Sequence, residues 1–481
     1  MKIGLFLGNM SPTEGGGYTL LMDQLSALSR LHRSCGHDIV LLHHAAGSSL
    51  AAQYSDFSSI NLDAERLGVR TQQELDEILR QQRADEEQRR ALEAEERQRV
   101  EALIRQQQDE FERRRRKIAR VSDLAGRVYS TLYGPYSSSV LASLPTLGNS
   151  TSQASLPTSQ SIVSTQSSEP SEPSWPASIY RREGIQFIIY LAPWLGEIEM
   201  DIPFALIVWD LQHRISPWFP EVSAGPEWNR REKNYVELLR RATMIYTGTG
   251  QGRDEVVAYY QIPPERIKVL PFLTPGFVLE AAKAPRDADR LSKFGLPVHY
   301  LFYPAQFWAH KNHVLVLEAC RIIRDESGWD IGVVFTGADK GNLNYVREYS
   351  DRLGLENCVK FLGFVEKADI LELYRGALCL VFPTFFGPDN LPPLEAFALG
   401  CPVIASDIPG AREQLGDAAI LVSPTNERAL AEAILGLRND EMRTQMVDAG
   451  LAVAAKADWD DYGRRLLDSV NEFASVRRSW G

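Results

Sequence analysis

The chain has 481 residues, which is enough for two or three domains at roughly 100–200 residues each. Hydrophobic residues make up 44% and charged residues 24%, so the composition excludes a fibrous or wholly disordered protein. The formal net charge of −11 argues against a non-specific nucleic-acid-binding protein, because such proteins carry excess Lys and Arg. The charge is unevenly spread, since residues 73–120 contain 13 acidic and 13 basic side chains. The chain therefore has the composition of an ordinary enzyme apart from one unusually charged insert.

The cysteines and the apolar runs indicate the compartment. Five cysteines are scattered without a CxxC pair, which is typical of reduced thiols and disfavours a zinc site. The first apolar run is shorter than the roughly 7–15 residues of a secretory signal. No stretch reaches the roughly 18 uninterrupted apolar residues that span a membrane. We expect a cytoplasmic protein, and peripheral contact with the inner face of the membrane stays open.

The first 45 residues alternate between strand and helix patterns. An apolar run, KIGLFL, precedes three glycines at 15–17, a leucine-rich helical pattern and a second apolar run, HDIVLLHH. This βαβ pattern predicts a parallel sheet with a right-handed crossover. The glycines would let the backbone approach a ligand closely, although a simple tight turn explains them nearly as well.

The insert has two parts. Residues 72–121 lack Gly and Pro and repeat opposite charges at three- and four-residue spacing, which predicts an exposed charged helix. Its apolar positions are sparse for a coiled coil, but self-association or docking of a protein partner stays open beside a solvated arm. Residues 136–178 are rich in Ser and almost uncharged, so we expect a disordered linker there.

Regular strand and helix alternation resumes at residue 185, and a second series begins after a Pro- and Asp-rich stretch near 275–290. Two successive α/β series predict two doubly wound, Rossmann-like domains, 1–275 and 276–455, with the ligand between their strand carboxyl ends. Residues 456–481 predict a C-terminal helix that crosses back to the first domain.

Two motifs imitate binding sites. The turn GTGQG (248–252) lacks the spacing of a dinucleotide fingerprint and its acidic partner about 20 residues later, so we predict no such cofactor. The sequence DWDD (458–461) could hold a metal, but its position at the start of a terminal helix favours a helix N-cap.

The informative block is 382–413, FPTFFGPDNLPPLEAFALGCPVIASDIPGARE. An irregular loop ends a buried strand, and Pro392 and Pro393 indicate the first turn of a helix. The free N–H groups and positive dipole end of that helix suit a phosphate. Glu395 is placed to accept hydrogen bonds from ribose hydroxyls, although complementing the helix dipole explains it equally well. Lys311 follows the first strand of the same domain and can reach the same anion.

These residues resemble the nucleotide-sugar-binding half of family 4 retaining glycosyltransferases, within the glycosyl transferases group 1, which have the GT-B architecture of two facing Rossmann-like domains. Lys311 and Asn312 match the family's Lys-Asn pair, and Glu395 matches the second of two glutamates separated by seven residues. The segments 335–337, 361–364 and 371–377 fall where the family places two strand ends and a helix. The match is strong over 300–440, looser over 1–45 and 185–275, and absent over 72–178.

The resemblance implies a set of donor-binding residues. The first glutamate is replaced by Gly387, and the family's arginine by Gln306, so Asp389 or the backbone of its loop is a candidate replacement for the missing carboxylate. The predicted donor-binding residues are Gly16, Gly17, Gln306, Lys311, Asn312, Gly337, Phe364, Asp389, Asn390, Leu391 and Glu395.

The acceptor side is predicted in the segment 208–223, VWDLQHRISPWFPEVS, which resembles the family's Asp-x-x-His segment. Polar side chains that follow a buried strand face the crevice of such a domain. Asp210 and His213 therefore join Lys311 and Glu395 as the predicted catalytic residues. A structural role for His213 stays open.

The resemblance implies retaining, metal-independent transfer of a sugar from a UDP- or GDP-sugar to a glycan or lipid-linked acceptor. Lys311 and the helix amino end would stabilise the departing diphosphate, and no protein nucleophile is evident. Two alternatives remain. One is a non-catalytic glycosyltransferase-like scaffold that binds a partner through the charged helix, and the other is a GT-B sugar-nucleotide epimerase.

Overall fold

The computed structural model describes residues 1–8, 16–69, 71, 73–92, 94–95, 98–99, 175–193, 201–387 and 389–479. The chain divides into two compact units, Met1–Gly68 with Pro173–Gly481, and Val69–Glu172. Of the second unit, residues 73–92 form a helix, and the rest of the predicted charged helix lies outside the described residues apart from 94–95 and 98–99. The predicted Ser-rich linker lies outside them up to residue 174, and its last four positions begin a helix instead.

The N-terminal sheet of the first unit has seven strands in the order β3-β2-β1-β4-β5-β6-β7, all paired in parallel. Three neighbouring strands in its centre and edge-ward half are buried at every residue, which explains their continuous apolar runs. The strands are β1 (Lys2–Phe6), β2 (Asp38–His43), β3 (Ser58–Asn61), β4 (Phe187–Tyr190), β5 (Phe204–Val208), β6 (Met244–Thr247) and β7 (Ile267–Val269).

Helices connect these strands and cover both faces of the sheet. In chain order they are α1 (Gly16–Leu31), α2 (Ser48–Ala51), α3 (Leu62–Leu67), α4 (73–92, in the second unit), α5 (Trp175–Arg182), α6 (Gln212–Ile215), α7 (Pro220–Ser223), α8 (Glu227–Arg241) and α9 (Gly250–Tyr260). The helices α3 and α5, which flank the second unit in the sequence, contact each other.

The C-terminal sheet has six parallel strands in the order β10-β9-β8-β11-β12-β13. Its strands are β8 (Tyr300–Pro304), β9 (Gly332–Thr336), β10 (Val359–Phe361), β11 (Cys379–Phe382), β12 (Val403–Ser406) and β13 (Ala419–Val422). The accompanying helices are α10 (Gly276–Ala282), α11 (His313–Ser327), α12 (Leu343–Arg352), α13 (Lys367–Gly376), α14 (Leu391–Ala398), α15 (Ala411–Leu415), α16 (Glu427–Gly436) and α17 (Asp440–Ala454).

The last helix, α18 (Trp459–Arg477), packs against the N-terminal domain. Gln24 Nε2 in α1 donates a hydrogen bond of 2.7 Å to Tyr462 Oη, and the side chains of both residues are buried. A Cβ on Gly463 would lie 2.8 Å from Leu31 Cδ1, so the absence of a side chain lets the two helices approach. The Asp458 side chain accepts from the Asp461 amide, which confirms the predicted N-cap.

The prediction of two doubly wound α/β domains is confirmed by these two parallel sheets. The strand β3 and the helix α3 were not predicted, because Ser58–Asn61 is polar and only partly buried at the sheet edge. Among the described residues, no helix combines the length and the hydropathy that a membrane span requires.

Candidate active site

Loops that follow the strand carboxyl ends of the two sheets meet each other. A Cβ on Gly16, after β1, would lie 3.2 Å from Leu391 Cδ1 at the start of α14. A Cβ on Gly248, after β6, would lie only 1.5 Å from Asp389 Oδ2. Ligands of doubly wound domains bind at these carboxyl ends, so the two domains enclose one shared cleft. The predicted residues Gly16, Asp389 and Leu391 all lie in it.

The helix α14 begins in this cleft as predicted from its prolines. Its amino end is fixed by Gln414 of α15, whose Oε1 accepts from the Asn390 amide and whose Nε2 donates to the Asn390 carbonyl, both at 3.0 Å. Asn390 Nδ2 also donates to the Gly387 carbonyl at 2.9 Å. The Asn390 side chain therefore shapes the loop. Gly17, the second residue of α1, places the amino end of a second helix opposite α14.

The backbone of the loop before α14 explains why this chain has Gly387 where the family has its first glutamate. Gly387 has a φ of +120°, a conformation that residues with a side chain rarely adopt. A glutamate could not take this position without a different loop, so the carboxylate that this loop sends into the cleft is that of Asp389. That side chain is 9% exposed, and its Oδ2 has no hydrogen-bond partner among the described residues.

The environment of Asp389 keeps its carboxyl group neutral. Burial raises its pKa to about 8, and repulsion by Asp210 and Glu413 acts in the same direction. At pH 7 the group is therefore mostly a carboxylic acid that can donate a hydrogen bond. In the described part of the chain, no group of three or more His, Cys, Asp or Glu side chains is arranged to hold a metal ion.

Lys311 lies at the carboxyl end of β8, with its Nζ 5.0 Å from the ring centre of Phe382. Burial lowers the pKa of Lys311 to about 8, although Asp210 and Glu221 favour its charged form. Within the described residues, no carboxylate lies within 4.0 Å of its ammonium group, which leaves this cation available to an anionic ligand. Tyr303 Oη donates to the Lys311 carbonyl at 2.5 Å and fixes its backbone.

Asn312 occupies a turn and holds it together. Its φ is +55°, in the left-handed region that Asn tolerates better than most residues. Its Nδ2 donates to the carbonyls of Pro383 at 3.0 Å and Pro424 at 2.8 Å. Both hydrogens of Nδ2 are thereby used within the protein, which gives Asn312 a scaffolding role in this turn.

Glu395 lies in the first turns of α14, where Tyr374 Oη donates to its Oε2 at 2.7 Å. Burial raises the pKa of Glu395, while the Tyr374 hydroxyl and the more distant Lys367 oppose that shift. Tyr374 belongs to the segment 371–377 that the sequence singled out. The hydroxyl of Tyr374 therefore orients the carboxylate that was predicted to hold the ribose.

Asp210 and His213, the pair predicted on the acceptor side, have different surroundings in the structure. Asp210 accepts from the Gln212 amide and from Arg231 Nη1, both at 2.9 Å. Burial opposes its ionisation, but Arg231 holds the pKa of Asp210 below its usual range. Asp210 is thus a carboxylate near enough to the cleft to act on both Lys311 and Asp389.

His213 points into the N-terminal domain instead. Its side chain is fully buried, and its Nε2 lies 3.2 Å from Tyr260 Oη and 3.3 Å from Glu232 Oε2. Burial lowers the pKa of His213, with Arg231 acting in the same direction, so the ring is neutral at pH 7. A side chain enclosed in this way does not reach a ligand in the cleft, and the geometry supports the structural alternative for His213.

Three further predicted residues lie together at the carboxyl ends of β8, β9 and β10. Gly337, with a φ of +136°, approaches Ala305 so closely that a Cβ would lie 2.4 Å from its carbonyl oxygen. The Gly337 amide donates to the Gly363 carbonyl at 2.8 Å. Gln306 Oε1 accepts from its neighbour Trp308 at 3.0 Å, while the Phe364 ring is 83% exposed. Gly337 therefore joins the loops that carry Gln306 and Phe364.

Two carboxylates at the domain boundary were not predicted. Glu221 of α7 bonds to His310 of the other domain, and Glu413 of α15 accepts from the amides of Gly250 at 2.6 Å and Gln251 at 3.3 Å at the amino end of α9. No local signal in the sequence identifies them, because their partners lie 89 to 163 residues away in the chain.

Comparisons with known proteins agree with this architecture. Residues 293–452 match the family model described as glycosyl transferases group 1. O-antigen chain mannosyltransferase B of Escherichia coli is 27% identical over 248 residues, which are 50% of this chain and 64% of the relative. A D-inositol 3-phosphate glycosyltransferase of Corynebacterium glutamicum (strain R) is 24% identical over 52% of this chain and 62% of the relative. The chain thus spans less than two thirds of the length of these curated relatives.

Among solved structures, Anabaena Alr3699/HepE in complex with UDP and glucose aligns with a TM-score of 0.59. The alignment covers 98% of this chain and 100% of that chain at 14% identity, so it shows a shared fold. The two parallel-sheet domains define a protein of GT-B architecture. The match of residues 293–452 to the glycosyl transferases group 1 and the GT-B fold both agree with the sequence resemblance.

Proposed function

We propose that this protein is a retaining, family 4-type glycosyltransferase that moves a sugar from a nucleoside diphosphate to a glycan or lipid-linked acceptor. The observation that carries the proposal is the meeting of two helix amino ends, those of α1 at Gly16 and of α14 at Leu391, across the cleft. The amino end of a helix carries partial positive charge, which suits a diphosphate.

Lys311 supplies a full positive charge to the same chemistry. Its loop packs on the segment that leads from β11 to α14, because the Phe385 amide donates to the His310 carbonyl at 2.8 Å. When the bond between the sugar and the diphosphate breaks, negative charge grows on the leaving oxygen. A preorganised cation in a water-poor cleft stabilises that charge. This arrangement needs no metal ion, and we propose a metal-independent reaction.

The ribose, the base and the sugar of the donor also have candidate partners in the cleft. Glu395, oriented by Tyr374, is suited to accept hydrogen bonds from ribose hydroxyls. The backbone of residues 361–364 is proposed to bind the base. The neutral Asp389 carboxyl, with its unpartnered oxygen, is suited to exchange hydrogen bonds with hydroxyls of the donor sugar. Asp389 is thereby proposed to replace the family glutamate absent at Gly387.

The acceptor is proposed to enter beside Asp210 on the N-terminal domain. Its hydroxyl oxygen bonds to the anomeric carbon on the face that the diphosphate leaves, and its proton passes to a leaving-group oxygen. The anomeric configuration is then retained. The relatives, a mannosyltransferase and an inositol phosphate glycosyltransferase, support sugar transfer, and the UDP bound to HepE supports a nucleoside diphosphate sugar as the donor, for which we propose a UDP- or GDP-sugar.

A thermal-shift panel of UDP-, GDP- and ADP-sugars tests the proposal first. Ligand at about one hundred times its dissociation constant stabilises the folded state by about 2.7 kcal/mol, so the right donor should raise the melting temperature measurably. Transfer to candidate glycan and lipid acceptors is then followed with that donor, with and without EDTA. Proton NMR of the product reports whether the anomeric configuration is retained.

Lys311→Ala and Lys456→Ala form a matched pair, because Lys456 is exposed on the C-terminal side of α17. We expect transfer to fall by about 10²–10³-fold in Lys311→Ala and to stay unchanged in Lys456→Ala. Equal activity of the two variants would contradict the role of Lys311. The absence of stabilisation by every nucleotide sugar would contradict the proposed function itself.

A further inference from the structure

Glu221 and His310 join the two domains next to Lys311 in the chain. Glu221 lies on α7 of the N-terminal domain, and His310 follows β8 of the C-terminal domain. Glu221 Oε1 accepts two hydrogen bonds from the same residue, one of 2.8 Å from the His310 amide and one of 2.5 Å from His310 Nδ1. The side chains of Glu221 and His310 are only 6% and 11% exposed.

Aromatic rings enclose this pair. The His310 ring stacks on Phe386 with 4.0 Å between ring centres and 13° between ring planes. Phe219, two residues before Glu221, lies 5.4 Å from the ring of Phe385 and 5.3 Å from that of Phe386. The rings exclude water, and hydrogen bonds between the domains are stronger in such surroundings.

The burial of the Glu221 carboxylate costs free energy. A buried carboxylate needs partners for both oxygens, yet Glu221 Oε2 has no hydrogen-bond partner among the described residues. Buried polar atoms without partners are rare and call for an explanation, of which a functional role is one. The two bonds to His310 keep the pKa of Glu221 low against the effect of burial, so the group remains ionised.

His310 immediately precedes Lys311. The backbone of these two residues is held from the C-terminal domain by Tyr303 Oη on the Lys311 carbonyl and by the Phe385 amide on the His310 carbonyl. The His310 amide is held from the other domain by Glu221. The loop that carries Lys311 is thus held by hydrogen bonds within its own domain. Its bond to Glu221 forms only while the two domains are in contact.

We infer that Glu221 is a positioning residue that sets Lys311 for catalysis only when the acceptor-side domain has closed on the donor-side domain. The inference rests on the proposed function. Its consequence is that a departing diphosphate meets a correctly placed cation only in the closed protein, where the acceptor side is also in place and water is excluded.

A second contact between the domains provides a comparison. Glu413 of α15 binds the amino end of α9 through the amides of Gly250 and Gln251, and none of these described residues forms a hydrogen bond with the loop at 309–312. A variant at Glu413 therefore weakens the domain contact without touching the backbone around Lys311. Glu237, exposed on α8 in the same domain as Glu221, provides a control for the substitution itself.

Steady-state kinetics of Glu221→Ala, Glu221→Gln, Glu413→Ala and Glu237→Ala test the inference. We expect Glu221→Ala to lower kcat by about tenfold to a hundredfold, because small misplacements of a catalytic group are costly. The dissociation constant of the nucleoside diphosphate, measured by calorimetry, should change by less than about threefold. Glu221→Gln keeps an acceptor oxygen for both bonds but loses the charge that favours protonated Lys311, so it should recover kcat to within about threefold when assayed near pH 6, where Lys311 stays charged. Glu413→Ala should lower kcat far less than Glu221→Ala, and Glu237→Ala should leave it unchanged.

Amide hydrogen exchange provides a measurement that does not depend on activity. The His310 amide loses its acceptor in Glu221→Ala, so exchange across residues 309–312 should become much faster there, only slightly faster in Glu413→Ala, where the domains separate more often, and unchanged in Glu237→Ala. Unchanged exchange, an unchanged kcat, or a Glu221→Gln variant as impaired as Glu221→Ala would each overturn the inference. If the wild-type protein binds no nucleotide sugar, the proposed function fails, and the exchange experiment still decides whether Glu221 holds this loop.

Discussion

Replacing Lys311 by methionine should make the protein more stable and less active at once. Methionine has a similar length and no charge, so it removes the ammonium while filling the same space beside the Phe382 ring. The variant buries no charge at this position, so the free-energy cost of moving the ammonium group out of water disappears. Activity should fall by about 10²–10³-fold, because the cation proposed to stabilise the leaving diphosphate is absent.

The gain in stability follows from the pKa of Lys311. Burial lowers this pKa from 10.5 to about 8, and a tenfold change in a proton-binding constant corresponds to about 1.4 kcal/mol. The charged lysine therefore destabilises the fold by on the order of 3 kcal/mol at pH 7. In this case the unfolded chain binds more protons than the native protein between pH about 8 and 10.5. The penalty is full below pH 8, shrinks as the pH rises, and is gone above 10.5.

Urea unfolding at several pH values, followed by tryptophan fluorescence, measures this effect. We expect the unfolding free energy of Lys311→Met to exceed that of wild type at pH 7, and the difference to narrow steadily between about pH 8 and 9.5. Lys456→Met, at an exposed position, should show no difference at any pH. A Lys311→Met variant that is less stable than wild type, or a gain that does not change with pH, would refute the reasoning.

Three further predictions concern the scaffold. Tyr374→Phe removes the hydroxyl that donates to Glu395, so KM for the donor should rise by about five- to tenfold with little change in kcat; an unchanged KM would leave Tyr374 without this role. Gly337→Ala should lower the unfolding free energy by more than about 2 kcal/mol because its Cβ meets backbone, whereas Gly341→Ala, also at positive φ but in open space, should cost about 1 kcal/mol in the same urea titration. Replacing 69–172 by a short Gly-Ser linker should leave nucleotide affinity within about twofold in calorimetry, since α3 and α5 already contact each other; loss of binding in a folded variant would place the domain boundary elsewhere.

Local patterns in the sequence were enough to predict most of the elements around the cleft. Continuous apolar runs predicted the buried parallel strands, because such strands are covered on both faces. Pro392 and Pro393 indicated the start of α14, and Asp458 indicated the start of α18, since both signals act within one turn of helix. Lys311 and Glu395 were singled out because one follows a strand, the other lies at the start of a helix, and both match motifs of the family that the sequence resembles.

The direction of side chains at the end of a strand was not predictable in the same way. Asp210 and His213 are three residues apart, yet Asp210 raises the pKa of Asp389 in the cleft, while His213 is buried beside Glu232. Asn312 belongs to a motif of the family, but its Nδ2 donates hydrogen bonds to the carbonyls of Pro383 and Pro424, which lie in distant loops. Which way such a side chain turns depends on partners supplied by other parts of the chain.

The sequence by itself determined the class of fold, the start of the helix proposed to meet the donor, and the lysine and glutamate proposed to act beside it. Periodicity, caps and prolines express preferences of a few neighbouring residues, and these survive folding. Only the tertiary structure decided that the loop after Gly387 presents Asp389 to the cleft and that Glu221 holds the neighbour of Lys311. Those contacts join residues 89 or more positions apart, and their energies come from burial between two domains, which no local pattern records.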